Sequence, residues 1–242
     1  MRKDYPEIRP LGLDALIVRF AGGLDDVANR ATLAFAAAVR AQSWAHVTEV
    51  APALTSVLIR FDPLASHIEE LIASVETLLG SRDWLASDLP AGRRHWTVPV
   101  ALDGDAGPQF EEAAAAAGQS PQALSNLIAA TKIRVLTLGF APGQPYMGML
   151  PKEWDIPRQS GLTPEVPAGA LVMAVRQLII FARPAPTGWR QIGLTGFRPF
   201  RAEAPNPIAL APGDEMSFEI MPLDDLPRSS EGNGGARCEV LT

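Results

Sequence analysis

Tyr146, Arg158, Arg176, Gln177, Trp189 and Gln191 are polar or amphipathic side chains set in turn-rich sequence. The set suits the binding of a carboxylate or an amide. Arginine offers paired donors to an oxyanion, glutamine offers an amide, and free backbone N–H groups of an irregular loop add more. That loop is LGFAPGQPYMGMLP, residues 138–151. Gly139, Gly143 and Gly148 permit backbone angles that other residues resist, and Pro142, Pro145 and Pro151 fix φ and remove donors, so the segment is a shaped loop.

Each of these residues also has a purely structural reading. The loop can cap one end of a barrel with Phe140 and Tyr146 packed inward, and Arg158 can form a rim ion pair. Gln177 can satisfy neighbouring backbone groups, and Trp189 can belong to the core. Other chemistry is missing. The sequence has no Walker loop, dinucleotide fingerprint, metalloprotease helix or nucleophile elbow. The single Cys238 forms no internal disulfide, and His46, His67 and His95 lack ligand spacing, so no metal site is expected.

The elements that must position these residues fall into two groups. Over residues 1–100, DALIVRF (14–20) alternates as a strand, and residues 24–42 follow with Val27, Ala31, Phe35 and Val39 at near-helical spacing. HVTEVAP and TSVLIRFD are two further strands, residues 64–79 a second helix, and RHWTVPV (94–100) a last strand. The order β-α-β-β-α-β predicts a ferredoxin-like α+β domain. Residues 101–225 change character. The alanine-rich stretch PQFEEAAAAAG and the segment SPQALSNLIAA, with Ser120 at an N-cap and Pro121 at the first helical position, predict two short helices. IRVLTLGF, ALVMAV, QLIIFA, WRQIGL and EMSFEIM then follow as short strands between turns, the pattern of a closed or nearly closed β-barrel. The last stretch, 226–242, has no apolar pattern and is expected to be a flexible tail.

A chain of 242 residues with 47% hydrophobic and 20% charged residues has room for two domains and a proper core. The net charge of −6 argues against nucleic acid as the main partner. No apolar run approaches a membrane span, and the expected location is cytoplasmic.

The run RVLTLGFAPGQPYMGML resembles the family that includes allophanate hydrolase subunit 1, the B component of 5-oxoprolinase and the Kip-type sensor-kinase inhibitors. The resemblance extends through VTEVAPALTSVLIRFDP, VPVALDGDAGPQFEEAAAAAGQSPQAL, IPRQSGLTPEVPAGALVMAVRQLIIF, PTGWRQIG and IALAPGDEMSFEIM, covering residues 10 to 222 in family order. It implies a small α+β domain followed by a cyclophilin-like β-barrel, working with a second barrel-type carboxyltransferase-like subunit. It further implies an ATP-dependent amidohydrolase complex that acts on a small cyclic amide or carboxylate substrate, with ATP used by the complex. The alternative within the same family is a non-catalytic module that binds a sensor histidine kinase. Gly139, Phe140, Pro142, Gly143, Tyr146, Arg158, Gln177 and Trp189 match family motif positions and are the implied substrate-binding residues.

The sequence departs from the family pattern at five of its positions. Leu102 stands for a common tyrosine, Ile128 for a helix histidine, Gln144 for a second loop aromatic, Glu165 for an arginine and Leu178 for a threonine. The arginine-to-glutamate change inverts a charge, and the histidine and threonine changes remove donors.

Overall fold

The computed structural model describes residues 5–241 and divides into two compact units between Ala91 and Gly92. The first is a four-stranded antiparallel sheet in the order β1 (Glu7–Leu11), β2 (Ala15–Arg19), β4 (Ser56–Phe61), β3 (Val47–Ala53), with helices α1 (Asp26–Gln42) and α2 (Ile68–Leu79). Asp25 starts α1 by accepting a 2.7 Å hydrogen bond from the amide of Ala28, one of the otherwise unpaired donors of a helix start. Ala31, Phe35 and Val39 are buried as their spacing predicts, but Val27 is exposed and Ala28 takes the inward position. Phe35 centres the core, edge-on to both Phe20 and Trp84.

The expected final strand of this domain does not return to it. The place beside β2 is filled by β1, an edge strand with Pro10 and largely exposed residues, as an edge tolerates. The strand at 94–100 is instead the start of β5 (Arg94–Leu102) in the second unit, so the split βαβ order expected over 1–100 is not formed. Its composition gives the reason. Residues 98–102 are all buried, which requires packing on both faces, and the first sheet does not offer that.

The second unit is a closed barrel of seven strands. Around it run β12 (Arg190–Leu194), β9 (Ala170–Ala174), β10 (Gln177–Ile180), β7 (Pro145–Gly148), β6 (Ile133–Leu138), β13 (Glu215–Ile220) and β5, and β5 pairs back to β12. The β5–β13 pair is parallel, uniting Arg94–Leu102 with a strand from the far end of the chain. Inward residues Val98, Val100, Met147, Leu171, Met173, Leu178 and Ile180 form the barrel core. Of two helices, α3 (Phe110–Ala116) and α4 (Pro121–Ala130), the latter contributes Leu124 and Ile128 to that core. Ser120 caps α4 by accepting from the Ala123 amide at 3.1 Å, as its sequence predicts.

A two-stranded ribbon of β8 (Thr163–Val166) and β11 (Ala185–Thr187) covers part of the outer wall. The expected flexible tail carries a strand, β14 (Arg237–Val240), antiparallel to β5. Its polar sequence RCEV gives no apolar signal because it is held through backbone pairing. Among the described residues no helix is long and apolar enough to cross a membrane.

Candidate functional site

β7 and β10 pair with Tyr146 opposite Ile179, and alternation along both strands decides which side chains leave the barrel. Met147, Leu178 and Ile180 turn into the core, while Ile179, Phe181 and Trp189 form a second apolar cluster with Tyr146 packed against it. A cleft of about 170 Å³ opens there, bordered by Phe140, Gln144, Tyr146, Arg158, Leu162 and Trp189 among others. Trp189 is buried and stands edge-on to Tyr146, ring centroids 6.1 Å apart. The exposed Arg158 guanidinium lies 5.5 Å from the Trp189 centroid, within cation–π range.

Arg158 is held by its neighbours rather than by an acid. The Pro157 carbonyl accepts from Arg190 Nη1 at 2.7 Å, and Arg190 Nε is paired with Glu112 at 2.8 Å. The Gln159 amide donates to the Gly188 carbonyl at 2.7 Å, while its side chain donates to the Trp189 carbonyl at 3.0 Å and accepts from Gln109 at 2.7 Å. The segment is therefore clamped on both sides of Arg158, which has no carboxylate partner among the described residues.

Burial pushes the Tyr146 phenol above the ordinary tyrosine range, opposed by the positive charge of Arg158 and a hydrogen bond from Gln144. Gln144 is itself buried, and its Oε1 accepts from the Ala182 amide at 3.3 Å, so its NH₂ end is the one left to donate to the phenol oxygen. That leaves the phenol proton free to donate onward. A neutral phenol O–H and a guanidinium over an apolar, aromatic wall form a donor set for a small carboxylate with a flat apolar body.

Phe140, Tyr146, Arg158 and Trp189, all expected to bind ligand, border this one cleft. Gly139, Pro142 and Gly143 do not border it and instead build the turn beside it. Pro142 and Gly143 are the central residues, Gly143 at φ +70°, and the Gln144 amide donates to the Ala141 carbonyl at 3.1 Å. A Cβ on Gly143 would come within 2.7 Å of the Pro199 carbonyl oxygen, so no other residue fits. Two of the loop amides expected to face a ligand are spent inside the turn, since Gly139 donates to the Gln144 carbonyl at 3.0 Å. The turn also holds Phe140 at φ +68° and 64% exposed, an unfavourable backbone state for an aromatic residue.

Gln177 is outside the cleft. It pairs with Gly148, two residues along β10 from Ile179, and its amide nitrogen is buried without a partner. Arg176 and Gln191 are structural. Arg176 Nε donates to the Leu150 carbonyl at 2.7 Å, and Gln191 donates to the Ala106 carbonyl at 2.8 Å. Gln144 was visible in the sequence only as a departure from a family pattern, although standing two residues before Tyr146 puts it on the same face of an extended segment. Leu102, Ile128 and Leu178, the other apolar departures, lie in the barrel core, and Glu165 is exposed on β8. Among the described residues no group of three or more His, Cys, Asp or Glu side chains is arranged to hold a metal ion.

Residues 6–210 match the family described as carboxyltransferase domain, subdomain C and D. The B component of the 5-oxoprolinase of Bacillus subtilis (strain 168) is 31% identical over 222 residues, a span covering 88% of this chain and 91% of that protein. The crystal structure of TTHA0988 is similar with a TM-score of 0.71 and 27% identity over 89% of this chain, which spans only 40% of the TTHA0988 chain. The K. lactis urea amidolyase has a TM-score of 0.71 at 15% identity, covering 97% of this chain and 16% of that one, a likeness of fold alone.

Proposed function

Because the chain belongs to the carboxyltransferase-domain family of subdomains C and D, we propose that it is one subunit of an ATP-dependent amidohydrolase-type complex. In this reading its barrel is of the cyclophilin-like type, and it works with a second barrel-type subunit on a small cyclic amide or carboxylate. The 5-oxoprolinase component from Bacillus subtilis, nearly all of whose length the chain covers, supports the subunit role. The observation that carries the substrate class is the Arg158, Tyr146 and Gln144 donor set over Trp189. Arg158 and the Tyr146 O–H hold the carboxylate, Gln144 fixes the phenol, and the Trp189 ring takes the flat face of the substrate. Phe140 and Leu162 stand exposed at the mouth of the cleft.

ATP does not fit this cleft. A volume of about 170 Å³ with Arg158 as its charged donor is undersized for a triphosphate and its nucleoside, so ATP belongs to the complex and no step is routed through it here. The test is substrate-dependent ATP hydrolysis by the complex reconstituted with its partner subunits, using 5-oxoproline. Arg158→Ala should remove most turnover while the chain stays folded and assembled, and unchanged turnover would discard the assignment.

A second reading draws on Phe140 and Leu162, which are 64% and 70% exposed beside the cleft. Large apolar residues held out at one site suit a non-catalytic module docking on a sensor histidine kinase. That reading expects tight kinase binding without substrate, lost in a Phe140→Ser, Leu162→Ser double variant, and no turnover in any reconstituted complex.

A further inference from the structure

A second cleft, of about 690 Å³, lies in the barrel unit where the start of β5 meets the loop around Arg201 and the 230–236 segment. Its border carries Arg94, Arg201, Trp96, Asn206 and Ser230, and no aspartate or glutamate. Arg94 is built into the wall. The Oδ1 of buried Asp214 accepts from Arg94 N at 3.1 Å and Nε at 3.2 Å, and its Oδ2 accepts from Nη2 at 2.5 Å. The same Oδ2 accepts from the Ala211 amide at 2.9 Å, so the carboxylate itself is anchored. These bonds fix the plane of the guanidinium, 5.4 Å from the Trp96 ring centroid.

A single carboxylate stands against two arginines here, since Asp214 pairs with Arg94 and Arg201 has no carboxylate partner among the described residues. The Trp96 indole N–H is a further donor, buried and without a protein acceptor. A cleft bordered by donors and surplus positive charge, on a chain whose net charge is −6, departs from the charge of the molecule as a whole. Guanidinium groups match the geometry of phosphate and carboxylate oxygens, and a pre-fixed guanidinium loses little freedom on binding them.

We propose that this cleft binds a small doubly charged oxyanion, a phosphate ester or a dicarboxylate, between Arg94 and Arg201 and against Trp96. The proposal stands apart from the Arg158 cleft and needs no turnover to be tested. The indole N–H resonances of the full chain, assigned through bonds, are followed by NMR while inorganic phosphate or succinate is added. A saturable shift of the Trp96 indole, with the Trp189 indole still, is expected for at least one of the two. Phosphate alone would identify a phosphate-bearing ligand, and succinate alone a dicarboxylate.

Arg201→Glu should weaken that binding at least tenfold, and Arg201→Gln at least threefold should the charge reversal disturb the fold. Arg183→Glu makes the same change in net charge on an exposed residue outside the cleft and should weaken it less than twofold. The proposal is overturned if neither anion shifts Trp96, if Trp189 shifts in its place, or if the Arg201 and Arg183 variants behave alike.

Discussion

Arg158 and Arg94 lie over indole rings at nearly the same separation, 5.5 Å from Trp189 and 5.4 Å from Trp96, yet the molecule uses them differently. Arg94 is fixed by a buried carboxylate that accepts three of its hydrogen bonds. Arg158 is placed by the backbone on either side of it, and its charge is unmatched. The contrast separates two ways of positioning a cation. A guanidinium tied to a buried acid is part of the fold, because removing either partner strands a charge. One positioned through its own backbone can be removed with little cost to the fold, so its charge is available to a ligand.

The largest effect that would break this contrast is at Asp214. Asp214→Ala should destabilise the barrel unit by about 3–5 kcal/mol, the range for breaking a buried pair, read as a fall in the urea midpoint. A loss below about 1 kcal/mol would mean that Arg94 is no better anchored than Arg158. Arg158→Ala is the counterpart. Ligand affinity should fall roughly tenfold to a hundredfold, as for a charged hydrogen bond of about 1.5–3 kcal/mol, with stability unchanged within about 0.5 kcal/mol.

Gln159→Ala sharpens the contrast by removing the side-chain part of the clamp while leaving its backbone bonds and the charge. It should cost about 1–2 kcal/mol in thermal unfolding, and it should weaken ligand binding although the variant retains Arg158. A variant that loses stability but binds normally would show that the Gln159 side-chain bonds do not position Arg158.

Tyr146 reports on the same charge through pH. Its raised pKa means the folded protein keeps the phenol proton after the unfolded chain has lost it. The associated stability is intact below the unfolded value of about 10 and is lost as pH rises through the higher folded value. Arg158→Ala removes a charge that holds the phenol down, so phenolate absorbance should emerge at still higher pH. A shift to lower pH would contradict the placement of Arg158 beside Tyr146. The smallest effect belongs to Phe140→Gly. Relief of the positive φ should raise stability by about 1 kcal/mol or less in thermal unfolding, at some cost in ligand affinity.

The sequence made local features legible and left register and long-range pairing hidden. Ser120 and Pro121 announce the start of α4, and the Ala141 to Gln144 turn is written in Pro142 and Gly143. Tyr146, Arg158 and Trp189 stood out by type, and all three border the cleft. Gln177 has the same chemistry, yet its place on β10 sets it opposite Gly148 instead of Tyr146, a matter of two residues of register. The clamp was invisible because Gln109, Glu112, Gln159 and Arg190 meet only after α3 docks on β12. β5 reads as an ordinary strand, and its assignment to the barrel depends on a partner far along the chain. β14 leaves no mark in the sequence because backbone pairing asks nothing of its side chains.

The parallel pairing of β5 with β13 also sets a timetable for synthesis. Arg94 and Asp214 are 120 residues apart, so at about 5–20 residues per second a ribosome takes roughly 6–24 s to deliver the partner after β5 has been made. Until then Val98 and Val100 have no barrel to enter, while the first sheet already has all four of its strands. The nascent chain thus carries an unpaired apolar strand behind a unit whose own pairings are complete. That interval, rather than the finished barrel, is when a chaperone has most to bind.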